Sequence, residues 1–169
     1  MREDHLRHEA LSLVRSQRTM VLATSAGGHH PWAAPVYYVY HRSGFYFFSN
    51  PLSRHIKDCI DGQTAAVIFS DGERWEEIQG LQMEGQIKLI TKKTTRIQIG
   101  ARFIMKFPFA EPFLRSKSPS KKNSANATTS SLPNNVGDRV ELFGFFPTLI
   151  FYVNNRFGFG NRIAIQLER

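Results

Sequence analysis

Cysteine is nearly absent from this chain. Cys59 stands alone, so no intrachain disulfide can form, which suits a reducing compartment. Long apolar runs are also missing. No stretch approaches the roughly 18 apolar residues of a membrane-crossing helix, so no membrane partner is expected. The opening segment, MREDHLRHEALSLVRSQR, is charged and has no apolar core of a signal peptide, so the expected compartment is the cytoplasm. Metal-ligand spacing and a nucleophile–base–acid triad are lacking too. His29 and His30 are adjacent, but strand neighbours point to opposite faces and cannot easily share one ion, so no metal is expected. Acids are scarce in one place. From Lys92 to Lys122 there are nine basic residues and one acid, Glu111, and 9 − 1 = +8 equals the net charge of the whole chain. The remainder is neutral. The basicity therefore belongs to one segment, which reads as a solvated face, an anion site or a nucleic-acid surface.

What is present is enough for one folded unit. At 169 residues, 1–169 reads as a single domain with a core of its own. The expected elements are mostly strands. Leu6, Ala10, Leu13 and Val14 share one face of a helix over His5–Gln17. Met20–Thr24 is a strand, and Ser25–Gly28 a glycine hairpin turn. Trp32–His41 is the next strand, with Pro35 marking an edge or a bulge. Glu76–Ile90 alternates apolar and polar residues as a half-buried strand or strand pair, interrupted by Gly80 and Gly85. Thr91–Phe107 is a helix with Ile97, Ala101, Ile104 and Met105 on its apolar face, ended by Pro108. Residues 116–135 are rich in Ser, Asn, Thr and Lys, and read as a mobile loop. Val140–Phe146, Thr148–Val153 and Arg162–Leu167 are the closing strands, the first two separated by Pro147.

The chain is organised around Gly44–Phe69. Phe45–Phe48 is an aromatic strand broken by Ser49, Asn50 and Pro51. A short helix follows from Ser53 to about Ile60, with Gly62 just past its end. A second apolar strand runs from Ala65 to Phe69. Ser49, Ser53, Arg54 and His55 gather hydroxyls, a guanidinium and an imidazole around one helix N-terminus. Those groups suit a phosphate dianion, or else a plain Ser-capped helix with an exposed Arg.

Phe48-Ser49-Asn50 followed by Ser53-Arg54-His55 resembles the FMN-binding split-barrel proteins of the pyridoxamine 5′-phosphate oxidase-like superfamily. The resemblance covers about 6–90 and, more loosely, 140–167. It implies a mainly β fold with flanking helices, a split β-barrel of six or seven mostly antiparallel strands. It further implies a homodimer with FMN at the interface. By that resemblance the Ser-Arg-Lys triplet of the family grips the FMN phosphate, and His55 stands where the family has Lys. Ala34 through Pro35, Val36, Tyr37 and Tyr38 would lay backbone along the flavin. Ala34 replaces an Arg that often touches the phosphate. Gln79 or Gln82 would reach the ring's pyrimidine edge from the partner subunit. Authentic pyridoxamine 5′-phosphate oxidase is not expected, because its Arg-x-His substrate pair near the C-terminus has no counterpart after His55. The expected function is an FMN-dependent oxidoreductase of unknown substrate. The alternatives are a non-catalytic flavin- or haem-binding module and, less favoured, a nucleic-acid binder acting through 92–122.

Overall fold

A computed structural model describes residues 2–27, 30–60, 63–115 and 140–167 of the chain. In order these form α1 (Arg2–Ser16), β1 (Thr19–Ser25), β2 (Trp32–Tyr37), β3 (Val39–His41), β4 (Gly44–Ser49), α2 (Arg54–Ile60) and β5 (Gln63–Ser70). Then follow β6 (Gln79–Leu89), α3 (Lys93–Lys106), α4 (Glu111–Arg115), β7 (Glu141–Asn154) and β8 (Arg162–Ala164). The expected turn residue Gly28, together with His29, Gly62 and the loop over 116–135, lies outside the described residues.

All eight strands join one antiparallel sheet in the order β2-β1-β5-β6-β7-β4-β3, with β8 added to β7. The first and last strands in that order, β2 and β3, are separated in sequence only by Tyr38. Such a short connection between opposite edges requires the sheet to curl until its edges meet. That curl is the split barrel. Its interior is filled by Met20, Leu22, Val36, Tyr38, Phe45, Phe47, Ile68, Leu81, Phe145 and Tyr152. Helix α1 lies against this core through Leu6, Ala10, Leu13 and Val14, as the spacing predicts. Its ends match the helix dipole, with Glu3 and Asp4 in the first turn and Arg15 in the last. The Tyr38 hydroxyl, fully buried, donates to the Val14 carbonyl at 2.6 Å and ties the edge connection to α1.

Several boundaries differ from the sequence reading. Trp32–His41 is two strands rather than one, because the chain changes edges at Tyr38. Trp75–Glu77 forms a 3-10 turn, so the long strand begins at Gln79. The final strand stops at Ala164. Pro147 does not divide the closing strands. It lies inside the 14-residue β7, opposite Gly85 where the register shifts between Glu84 and Gly85, so the ladder does not need the missing N–H. The register slips there by one residue, Thr148 of β7, and the strand count is eight, above the six or seven expected. Helix α3 buries Ile99 and Phe103 and leaves Ile97 64% and Met105 83% exposed, against the expected face. Aromatics decide this orientation. Phe103 meets Phe48 edge-on at 5.0 Å and Phe107 at 4.9 Å, closing a second cluster with Tyr46 and Leu142 outside the barrel.

Candidate functional site

Strand β4 ends at Ser49, and Asn50 turns the chain into α2. The Asn50 side chain accepts from Leu52 N–H at 2.8 Å and its carbonyl accepts from Ser53 N–H at 3.0 Å. This turn brings Ser49 and Ser53 together, with Oγ atoms 3.2 Å apart. His55 Nε2 lies 2.8 Å from Ser49 Oγ and 3.4 Å from Ser53 Oγ. The three side chains thus share one point at the entrance of α2. Ser53 donates its hydroxyl proton to the Asn50 carbonyl at 2.6 Å. The assignment that satisfies every contact is a relay. His55 Nε2–H donates to Ser49, Ser49 to Ser53, and Ser53 to Asn50.

His55 is half-buried. Burial pushes its pKa down, while the nearby Asp58 carboxylate pulls it back up. The imidazole is therefore neutral at pH 7 and offers a hydrogen bond without a charge. Ser49 also stands opposite Glu141 in the β4–β7 register, and that carboxylate is countered by Arg96 at 2.8 Å.

Arg54 points elsewhere. Its Nε donates to Asp58 Oδ2 at 3.3 Å and one Nη donates to the His30 carbonyl at 2.5 Å. Its guanidinium carbon sits 4.7 Å from the centre of the Trp32 ring. The Asp58 side chain is 3% exposed and that of Arg54 41%, so a buried carboxylate holds a partly exposed cation. The guanidinium is clamped beside β2 and is not part of the Ser49–Ser53–His55 relay. Sequence reading missed Asp58 and Trp32 as its holders. The four-residue spacing of Arg54 and Asp58 was a usable signal for the first. No local pattern marks the second.

The remaining candidates are dispersed. Val36 and Tyr38 point their side chains into the barrel, so only their backbone can face a ligand. Pro35 and Tyr37 face outward from the edge strand β2, and Tyr37 packs against Phe107 and Phe109. Phe48 is committed to Phe103. Gln82 is exposed on the outer face of β6 and accepts from Arg162 Nε at 2.8 Å. Gln79 faces the other way and accepts from the Tyr152 hydroxyl at 2.9 Å. In the basic segment, Arg96 and Lys106 are both used internally, by Glu141 and by the Gln17 carbonyl. Among the described residues, no helix is long and apolar enough to cross a membrane.

The family model described as pyridoxamine 5′-phosphate oxidase matches residues 6–125, a span that contains the Ser49–His55 cluster. No curated protein matches the chain. Among solved structures, the chain is similar to HutZ, the haem storage protein from Vibrio cholerae. That pair has a TM-score of 0.63 and 14% identity over 86% of this chain and 93% of that one. A haem-binding protein from Mycobacterium smegmatis gives a TM-score of 0.68 and 12% identity over 95% of this chain, which spans 57% of that protein. A Clostridium acetobutylicum protein of the pyridoxinephosphate oxidase family, related to general stress protein 26 of B. subtilis, gives 0.62 and 12% over 97% of this chain and 96% of that one. At these identities the likeness is one of fold, the split barrel.

Proposed function

The chain belongs to the pyridoxamine 5′-phosphate oxidase family, and from that premise we propose that it is an FMN-binding flavoprotein, an oxidoreductase working as a homodimer. The observation that carries this reading is the convergence of Ser49, Ser53 and His55 on one point beside the α2 entrance. The donor set fits the phosphate end of FMN. Two hydroxyls and a neutral imidazole N–H can re-aim from their mutual relay to phosphate oxygens, and Arg54 keeps N–H groups beyond those given to Asp58 and His30. The charge is lower than the family pattern implies. His55 brings none, and Arg54 is matched by Asp58. Binding therefore rests more on directed hydrogen bonds than on net charge.

When bound, FMN supplies the electron-transfer chemistry. The chain's own part is to anchor the phosphate, present the backbone of Pro35–Tyr38 to the ring, and hold Gln82 outward for the ring of the opposite site. Gln82 is exposed and reaches a ring only if a second copy brings one, which is why the dimer belongs to the proposal.

A second reading, a non-catalytic haem- or flavin-binding module, is favoured by the Vibrio and mycobacterial neighbours, both haem proteins by name. The absorption spectrum of the purified protein separates the two. Flavin bands with bleaching by a nicotinamide donor under anaerobic conditions support the flavoprotein. An intense Soret band supports the haem module, and a flavin that no donor reduces supports the non-catalytic one. Light scattering should report about twice the chain mass, and a monomer that still binds FMN at full stoichiometry contradicts the interface site.

A further inference from the structure

Helix α3 is apolar on two faces. Ile99 and Phe103 are buried in the protein. Ile97, Ala101 and Ile104, at i, i+4 and i+7, line a separate groove with Phe48 of β4 and Leu114 of α4; its volume is about 430 Å³, within the range of small-molecule sites. Gly100 lines the same groove, and a methyl group placed on it would meet nothing within 4 Å. A glycine inside a helix costs stability relative to alanine, and here it leaves the groove open. The groove is also charged at one end. Lys93 and Arg96, in the first turn of α3, line it, and none of its lining residues is an acid. Arg96 directs Nη1 to the Glu141 carboxylate and the Ile90 carbonyl, while Lys93 has no carboxylate partner among the described residues. The helix N-terminus adds to the positive charge, since no acid stands in its first turn and no side chain caps it.

We propose that this groove binds a free fatty acid of medium chain length, with its carboxylate at Lys93 and its chain along Ile97, Gly100, Ala101 and Ile104. These five residues recur at helical spacing and share one face of α3, so cation, glycine and aliphatics lie in one line. From Lys93 to Ile104 the helix rises about 16 Å, close to the length of an extended chain of about twelve carbons. The Lys93 ammonium makes a charge-assisted hydrogen bond to the carboxylate, and the positive end of the helix dipole favours the same charge. The aliphatic residues remove the chain from water. A ligand charged at one end and apolar along its length matches both parts of the groove. Phe48 and Ser49 point to opposite faces of β4, as strand neighbours do, so the groove is separate from the Ser49–Ser53–His55 cluster.

The test titrates dodecanoate, kept below its micelle concentration, into the full chain by calorimetry. Dodecyltrimethylammonium has the same chain with the opposite charge, and acetate has the carboxylate without the chain. One dodecanoate per chain should bind, at least about tenfold more tightly than the cation, and acetate should not bind. Lys93→Gln should weaken dodecanoate about tenfold, the loss of one charge-assisted hydrogen bond. Gly100→Leu should abolish binding by filling the groove. Its thermal midpoint should hold or rise, because leucine is the better helix former and the space at Gly100 is open. Lys93 is exposed, so Lys93→Gln reads the site even where Gly100→Leu does not fold. No dodecanoate binding, equal affinity for anion and cation, an unchanged affinity in Lys93→Gln, or full binding by a folded Gly100→Leu protein would overturn the proposal. So would uptake by phosphatidylglycerol vesicles without binding of monomeric dodecanoate, which makes the face a membrane contact. A halved mass of Gly100→Leu in light scattering would overturn it too, by making the groove a subunit contact.

Discussion

Replacing Arg54 with Ala tests two roles at once. The guanidinium is 3.3 Å from a carboxylate that is almost fully buried, and it stacks on Trp32. Two unit charges near 4 Å attract by about 4 kcal/mol at an effective dielectric of 20. Solvent reaches the exposed guanidinium, and Asp58 has a further interaction of its own, so the expected cost is about half of that. A loss of about 2 kcal/mol lowers the melting temperature of a chain this size by about 4–8 °C. Urea melts of Arg54→Ala, Asp58→Asn and the double variant should show a coupling of about 1–2 kcal/mol. FMN binding to the folded Arg54→Ala protein should weaken about tenfold, below the full value of a charged hydrogen bond, because the wild type must first loosen the Asp58 pair. Riboflavin has no phosphate, and its affinity should not move. Asp58→Asn should tighten FMN binding by freeing the guanidinium and removing an opposing charge. Additive melts, together with an FMN-over-riboflavin preference unchanged in Arg54→Ala, would refute both roles.

His55 gives a pH signature. Burial holds its folded-state pKa below the unfolded value of about 6.5, so its contribution to stability is complete above that pH. The contribution is lost as pH falls from there through the folded value, because the unfolded chain takes up the proton first. Chemical melts from pH 7.5 to 5 should therefore slope less in His55→Gln than in the wild type, and equal slopes would contradict the buried neutral imidazole. His55→Lys restores the family's residue and should tighten FMN binding. An unchanged affinity in a calorimetric titration would mean that position 55 does not face the phosphate. Gly85→Ala places a methyl group on the Phe146 carbonyl oxygen and 2.8 Å from Pro147 Cα, both backbone, so the bulge must open. The melting point should fall by more than about 5 °C, a cost above about 2 kcal/mol, and a neutral result would show that the bulge yields freely.

Much of the barrel was legible because local patterns and packing agree. The aromatic run Phe45–Phe48, the 3.6 period of α1 and the break at Ser49–Pro51 each point to one structure. Pro147 misled because its effect depends on a partner. Opposite Gly85, beside the register slip at Thr148, a missing N–H costs little, and sequence spacing cannot place those two residues face to face. The turned face of α3 has a similar cause. Ile97 and Met105 match Ile99 and Phe103 in hydrophobicity, and the choice falls to the rings of Phe48 and Phe107. At the site, proximity was readable for Ser49, Ser53 and His55, which lie within seven residues of one another. The direction of Arg54 was not, because Trp32 at the start of β2 and the His30 carbonyl just before it are more than twenty residues away.

The most direct measurement is a pair of titrations, FMN and riboflavin, into apoprotein at pH 7, followed by flavin fluorescence. Hydrogen bonds from Ser49, Ser53 and His55 to the phosphate predict that FMN binds at least about tenfold more tightly than riboflavin, the equivalent of about 1.4 kcal/mol. Equal affinities, or no flavin binding by a protein that takes up haem, would contradict the phosphate site.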